Sequence, residues 1–381
     1  MVVSFHLSQL FNGELGTSMP PKVGRLIHYF RAYLTIFSFD HLMKIQFIIG
    51  NIGSPGGTER VTCELASAFA EAGHELSILS LFGSNQPYFD LASSVLVTGL
   101  ELREAQGKLG RFVHISYVLY RACRDTRADV VILVDSILFA FCIPWVWFLR
   151  SHLVSWEHFN LTTKHGSRFR NFARCTAVRW ADAIVVLTER DAEAWRQRFG
   201  INNKVRAICN PVPRFYESAK PIGSRSKVVL AMGRLTEEKG FDLLLDAWSR
   251  LGEARDGWHL RIVGEGRDET KLKLFAEQQG VADSVIFAGL IQHVEREFQN
   301  ASIYVMSSRW EGLGMTLLEA QHFGLPCVST DCPVGPGEIL RGSGSGFLVP
   351  MEDPQALADA LTRLLTDSRL RATVGEAAVT N

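Results

Sequence analysis

The sequence contains no long apolar run. Its best candidate, Ile137–Leu149 (ILFAFCIPWVWFL), spans thirteen residues with Pro144 inside, whereas a helix that crosses a bilayer needs about 20. That stretch reads either as a buried helix and strand or as a surface that touches lipid. Cysteine pairs at C-x-x-C spacing are missing too. Cys63, Cys123, Cys142, Cys175, Cys209, Cys327 and Cys332 are scattered and odd in number, which gives neither a zinc site nor a disulfide framework. Buried thiols in a reducing cytoplasm are the expectation. Net charge is absent as well, because 40 Lys+Arg cancel 40 Asp+Glu. The cancellation hides a mild asymmetry: residues 1–205 hold 21 basic against 17 acidic side chains, and the remainder holds 19 against 23. A basic half can favour an anionic surface, but no nucleic-acid partner is expected.

A secretory signal is also lacking. Residues 1–42 show no basic start followed by a clean apolar core and a small-residue cleavage site. They read unlike the rest, and the fold is expected to begin at Met43, with 1–42 a leader outside it. Within the leader, Arg25–Phe37 (RLIHYFRAYLTIF) sets Arg25, His28 and Arg31 among apolar residues. That pattern suits an interfacial membrane helix, and it would also arise from translation of upstream DNA.

What is present is enough for two cores. The chain has 381 residues, 47% of them hydrophobic and 21% charged. From Lys44 short β-rich runs alternate with amphipathic ones. KIQFIIG, HELSILSL, ADVVILV, HLVSWE and ADAIVVLT read as strands, and ERVTCELASAFAEAG reads as a helix closed by Gly73. After Asn210–Val212 and a polar stretch the alternation restarts with KVVLAMG, HLRIVGEG, SVIFAGL, ASIYVMSS, PCVST and GFLVP as strands. GFDLLLDAWSRL and DPQALADALTRLL are helices of this second set. Such βαβ alternation implies parallel sheets covered by helices. Two doubly wound units are expected, 43–210 and 211–381, joined near 205–225. Ligands bind beyond the carboxyl ends of such strands, so the site should be a cleft between the two units.

Each candidate for chemistry follows a strand. In GNIGSPGGTER (Gly50–Arg60), Gly56 and Gly57 let backbone approach an anion at a helix start, although short glycine loops are also common on surfaces. GRLTEEKGF (Gly233–Phe241) offers Arg234 and Lys239, two cations suited to a diphosphate, with solvated surface charge as the alternative. Gly264 in VGEGRD permits close backbone approach, and His158 in WEHFN sits at the end of an apolar strand. EGLGMTLLE (Glu311–Glu319) places Glu311 before a helix and Glu319 inside it, among Leu317, Leu318 and Ala320. An unpaired charge there is costly. Hydroxyls at two ends of one ligand would satisfy both carboxylates, while Gly312 and Gly314 expose amides to its phosphate. A nucleotide sugar has that layout.

In this order the G-G-x-E-R loop, the E-H pair, the G-R-L-x-x-x-K-G loop, the E-x7-E segment and the G-P-x-E-I turn (Gly335–Ile339) resemble the retaining GT-B glycosyltransferases of family 4, also called glycosyl transferases group 1. The resemblance runs from about Met43 to about Leu365. It implies an α/β GT-B fold, two Rossmann-like domains facing a central cleft. The first domain would lie on the acceptor side and the second would bind the nucleotide sugar. It also implies that Arg234 and Lys239 bind the donor diphosphate, Glu319 the ribose hydroxyls and Glu311 the donor sugar. Gly312, Leu313 and Gly314 would offer amides to sugar and phosphate, Gly56, Gly57 and Gly264 would line the phosphate site, and His158 would sit beside the reacting sugar. No cofactor and no metal are implied, and the sequence has no D-x-D triplet, the metal-holding device of the other large glycosyltransferase fold.

The expected activity is retaining hexose transfer from a nucleotide diphosphate sugar to a glycan or lipid-linked acceptor in bacterial cell-surface polysaccharide or lipopolysaccharide synthesis. A cytoplasmic location is expected, with possible peripheral contact on the inner face of the membrane. The leader departs from the family pattern, and so does the ending RATVGEAAVTN, where relatives continue into a helix that crosses back to the first domain. Three rivals remain. They are a nucleotide-sugar epimerase of the same fold, a two-lobed sugar-binding protein without chemistry, and a dinucleotide oxidoreductase. The last would need a full G-x-G-x-x-G after its first strand, which GNIGSPGG does not supply.

Overall fold

The computed structural model of the protein describes residues 42–83, 85–102, 108–161, 168–211 and 225–380. The leader, and with it Arg25–Phe37, falls outside these residues apart from Leu42, as does most of the polar stretch between the two units. Strand β1 (Lys44–Ile49) opens a seven-stranded sheet with β2 (Glu75–Ser80), β3 (Leu96–Gly99), β4 (Val130–Val134), β5 (His152–Trp156), β6 (Ala183–Val186) and β7 (Val205–Ala207). Every pairing is parallel, in the order β3-β2-β1-β4-β5-β6-β7. A second sheet holds β8 (Val228–Met232), β9 (His259–Val263), β10 (Val285–Phe287), β11 (Ile303–Met306), β12 (Cys327–Thr330) and β13 (Gly346–Val349). It is also parallel, in the order β10-β9-β8-β11-β12-β13.

The central strands are apolar throughout because helices cover both faces. All of β4 (VVILV), β6 (AIVV) and β11 (IYVM) is buried. The first sheet is flanked by α1 (Gly57–Glu71), α2 (Lys108–Thr126), α3 (Arg168–Trp180) and α4 (Glu189–Phe199). The second is flanked by α5 (Phe241–Arg250), α6 (Glu269–Gln278), α7 (Glu295–Asn300), α8 (Met315–His322), α9 (Pro336–Leu340), α10 (Pro354–Thr366) and α11 (Ser368–Thr380). Local signals fix several ends. Thr188 caps α4 by accepting from the Asp191 amide, and Gly200 ends it in the left-handed region. Asp353 caps α10 ahead of Pro354. Two separate cores result, one containing Trp195 and Phe139 and the other Trp248 and Phe241. The final helix α11 packs on α10, α8 and β13 of the second lobe.

Two expectations need correction. Ile137–Leu149 forms no strand: Ser136–Cys142 and Val146–Phe148 are short 3-10 turns. Its first half is buried, but Trp147 and Phe148 face outward, since Pro144 interrupts the run before the helical pattern can continue. The thiols are not uniformly buried either. Cys175 lies exposed on the outward face of α3.

Candidate active site

In both sheets the chain leaves the first strand on one side and the fourth on the other, which opens a crevice at the carboxyl edge. In the second lobe that crevice lies between β8 and β11. The β8 end gives Gly233 and Arg234 and the β11 end gives Ser307 to Glu311. Gly240 has φ +61° and a Cβ there would strike the Ser307 carbonyl, so only glycine lets the Lys239 loop press on the β11 end. The Ser307 hydroxyl donates to the Lys239 carbonyl (3.0 Å), and the Arg309 amide donates to the Glu238 carbonyl (2.8 Å). Arg309 then clamps Asp242 with two bonds of 2.8 Å and reaches Glu352 at 2.6 Å. This guanidinium, which the motifs did not flag, fixes the whole loop.

On that frame Lys239 Nζ lies 2.8 Å from Glu311 Oε1, which also accepts from the Ser308 hydroxyl at 2.6 Å. One Glu311 oxygen is therefore committed to the protein. Arg234 extends from the same loop with its side chain 70% exposed, 3.3 Å from Glu238. Beyond Glu311 the chain enters α8 through Gly312, Leu313 and Gly314. Gly314 takes φ +90°, and no side chain caps the helix. Among the described residues, no backbone acceptor takes the amides of Gly312, Leu313 or Gly314. These are orphan donors at the positive end of a helix.

Glu319 lies in the second turn of α8 with only 4% of its side chain exposed. Arg60 Nη1 of the first lobe donates to it at 3.1 Å. This contact bridges the two lobes and offsets the buried charge. Gly264 follows β9, the strand beside β8. Its close approach is to the Gly233 carbonyl, and its amide is given to Gly289 at 2.8 Å, so it shapes the β8 end rather than presenting an amide to the cleft.

In the first lobe, Gly56 and Gly57 begin α1 without a side-chain cap. Space beside Gly57 is open, while the carboxylate of Glu59 folds back over Gly56. Burial raises the Glu59 pKa above the usual carboxylate range, and its own amide and the charge of Arg234 oppose that rise. Arg234 thus lies within electrostatic reach of the α1 start, from the opposite wall.

His158 follows β5, its ring 4.4 Å from that of Trp156. Burial lowers its pKa to about 4, the Asp135 charge opposing, and Nε2 has no hydrogen-bond partner among the described residues. The imidazole is neutral at neutral pH. Its loop is held from beneath by a buried network. Glu157 accepts from Ser136 (2.5 Å), Arg174 Nε (2.9 Å), Arg170 (3.3 Å) and the Phe159 amide (3.1 Å). Arg174 also donates to the carbonyls of Phe159, Asn160 and Leu161. Asp135, at φ +88°, receives both Arg170 nitrogens at 2.7 and 2.9 Å. Asp191 accepts the Leu161 amide at 2.7 Å, and burial lifts its pKa to about 7.

Beside the Arg60–Glu319 pair, further contacts join the lobes around this site. Asn160 Nδ2 donates to the Glu311 carbonyl (2.6 Å), and a Cβ at Gly312 would strike the His158 carbonyl. Glu338 of the G-P-x-E-I turn accepts the Glu189 and Arg190 amides, both at 3.0 Å, and so caps α4 from the other lobe. His158, Glu311 and the Gly312–Gly314 amides are therefore brought together. Among the described residues no three His, Cys, Asp or Glu side chains form a metal-holding group.

The buried His158 makes an acid-side prediction. A histidine whose folded pKa is lowered binds fewer protons than in the unfolded chain, so stability is lost as pH falls through its ordinary value near 6.5 toward 4. Between pH 7.5 and 4.5 that term is about 2 to 3 kcal/mol. Urea unfolding of His158→Gln should show a shallower acid-side decline than the wild type by about that amount. Identical declines would place His158 in water.

Comparison with known proteins agrees with this layout. Residues 55–214 match the model of Glycosyltransferase Family 4, and residues 214–380 match that of Glycosyl transferases group 1. An uncharacterized glycosyltransferase of Haemophilus influenzae is 31% identical over 329 residues, covering 86% of this chain and 92% of that protein. The lipopolysaccharide 1,6-galactosyltransferase of Escherichia coli is 25% identical, covering 85% of this chain and 89% of its own length. The crystal structure of Anabaena HepE in complex with UDP and glucose superposes with a TM-score of 0.75 at 20% identity, over 89% of this chain and 94% of that one. The chain belongs to the family 4 glycosyltransferases, the glycosyl transferases group 1, and has their two-domain GT-B fold.

Proposed function

We propose that this glycosyltransferase moves a hexose from a nucleotide diphosphate sugar to a hydroxyl of a glycan or lipid-linked acceptor, with the anomeric configuration retained and without a metal ion or other cofactor. The synthesis of bacterial cell-surface polysaccharide or lipopolysaccharide is the proposed setting. The observation that carries this reading is the Lys239–Glu311 pair beside the Gly312–Gly314 amides, which meet no backbone acceptor among the described residues, with His158 packed against the same segment. Lys239 and Arg234 supply fixed positive charge for the phosphate oxygens as the bond to the sugar breaks. Because Lys239 and Ser308 hold one Glu311 oxygen, the other is oriented toward a sugar hydroxyl. A neutral His158 exchanges hydrogen bonds with the sugar without adding charge. Glu319 takes the ribose hydroxyls in this reading, exchanging its Arg60 contact for them. Named relatives support the setting, among them the lipopolysaccharide 1,6-galactosyltransferase of Escherichia coli.

Incubation with a panel of nucleotide sugars, with and without lipopolysaccharide-core acceptors, tests it by nucleotide release. Release that requires the acceptor, with an α-linked product from an α-linked donor, is the expected result. Equal release without an acceptor would point to hydrolysis. A new nucleotide sugar without release would point to an epimerase. Transfer should continue undiminished in excess chelator, and a strict need for added manganese would overturn the metal-free assignment.

Calorimetric titration with free nucleoside diphosphate separates the two carboxylates. Glu319→Gln should weaken binding more than Glu311→Gln, by about tenfold for one lost charge-assisted hydrogen bond. The reverse order would exchange their roles.

A further inference from the structure

Asn160 lies where the two lobes meet and is only 2% exposed. Its Nδ2 donates to the Glu311 carbonyl at 2.6 Å. The loop that carries it is tied to the first lobe residue by residue. Arg174 of α3 donates to the carbonyls of Phe159, Asn160 and Leu161 at 3.2, 3.1 and 3.3 Å. Asp191 of α4 accepts the Leu161 amide, and Glu157 accepts that of Phe159. The Asn160 side chain therefore reaches into the second lobe from a fixed base. Glu311 in turn is held from two sides. Lys239 and Ser308 of its own lobe hold its carboxylate, and Asn160 of the other lobe holds its carbonyl.

That carbonyl belongs to the peptide that joins Glu311 to Gly312. The peptide is trans, so its C=O and N–H lie in one plane and point in opposite directions. Holding the Glu311 carbonyl thus also sets the direction of the Gly312 N–H, since a flip of the peptide would carry both round together. The same loop closes the other end of the link, because a Cβ on Gly312 would come within 2.3 Å of the His158 carbonyl. Donation to a carbonyl also polarises the peptide and makes its N–H a stronger donor. The Gly312 amide meets no backbone acceptor among the described residues, and it is the first of the three amides at the α8 start. We infer that Asn160 is a positioning residue, which aims the Gly312 amide at the donor diphosphate where the lobes meet. The inference rests on the diphosphate reading above. A side chain that only filled the interface would not need its N–H, and a leucine of similar volume would serve as well.

Inorganic pyrophosphate is the probe, because it carries two linked phosphates without a base or a sugar. Calorimetric titration of the full chain compares the wild type with Asn160→Leu, which keeps the volume and removes the N–H. Affinity should fall about tenfold, the effect of one lost hydrogen bond to a charged group. Should leucine prevent folding, Asn160→Ala repeats the measurement with the same expected loss. Glu338→Ala is the control. It breaks a different contact between the lobes, the one to the Glu189 and Arg190 amides, and does not touch the Glu311–Gly312 peptide. Its loss of affinity should be far smaller. Unchanged affinity in Asn160→Leu would overturn the inference and leave the diphosphate reading intact. Equal losses in Asn160→Leu and Glu338→Ala would also overturn it, because contact between the lobes, and not the aim of one amide, would then govern binding. If the wild type does not bind pyrophosphate, the diphosphate reading fails and the role of Asn160 falls with it.

Discussion

Replacing Arg234 and Lys239 together by alanine should lower kcat/KM for sugar transfer by about two to four orders of magnitude. Each cation is assigned one charge-assisted contact to the donor diphosphate, roughly 1.5 to 3 kcal/mol apiece, and about 1.4 kcal/mol is a factor of ten. The two losses should fall mainly on kcat, because negative charge on the leaving phosphate grows as the glycosidic bond breaks. Structure limits the side effects unequally. Arg234 is mostly exposed, and its contact with Glu238 is an i, i+4 surface pair that contributes little. Lys239 also neutralises Glu311, which would then keep the Ser308 hydroxyl as a donor. Arg234→Ala alone should therefore leave the melting temperature unchanged, while Lys239→Ala lowers it slightly. Lys239→Arg should recover part of the activity by restoring charge near Glu311. Wild-type turnover in the double variant would remove both residues from the donor site.

How much of this was legible beforehand depends on whether a residue's role is local. The strands β1, β4, β8 and β11 announce themselves as short apolar runs ending in glycine or polar residues, because parallel strands are buried on both faces. The loops that carry Arg234, Lys239 and Glu311 follow at their carboxyl ends, and the strand-then-glycine pattern locates them. Ile137–Leu149 was harder: Pro144 splits it into two turns, and composition alone could not say which half faces out. The supports of the site were not legible. Arg309 acts through Asp242 and Glu352, which lie 67 and 43 positions away in the chain, and Arg60 meets Glu319 across 259 positions. The first pairings follow from the assembly of the second sheet and the last from the meeting of the two lobes, and no sequence spacing encodes them. Arg60 and Glu338 did stand inside the quoted motifs, but a motif does not state which wall its charged residue faces. Glu157 had a clearer signal, a charge between Trp156 and His158 at the end of a buried strand, where a partner was required.

That partner supplies the second large effect. Arg174→Met should destabilise the protein by about 3 to 5 kcal/mol at pH 8, the usual cost of breaking a buried ion pair from one side. The reason is visible in the bonds it makes. Arg174 is 1% exposed, reaches Glu157 at 2.9 Å and serves the carbonyls of Phe159, Asn160 and Leu161. Methionine fills much of the volume but satisfies none of these acceptors. Burial already raises the Glu157 pKa, and losing a cation should raise it further. A carboxyl whose folded pKa lies above its unfolded value binds extra protons in the native state, so its contribution to stability falls as pH rises. The deficit of the variant should accordingly shrink from pH 8 to pH 5.5, as Glu157 protonates. Urea unfolding at the two pH values measures this, and adding Glu157→Gln to Arg174→Met should return part of the loss at pH 8. Because Asn160 of the same loop holds the Glu311 carbonyl, the single variant should also bind nucleoside diphosphate more weakly while still folded. A deficit below about 1 kcal/mol, equal at both pH values, would mean that water replaces the guanidinium and that the His158 loop does not rest on this ion pair.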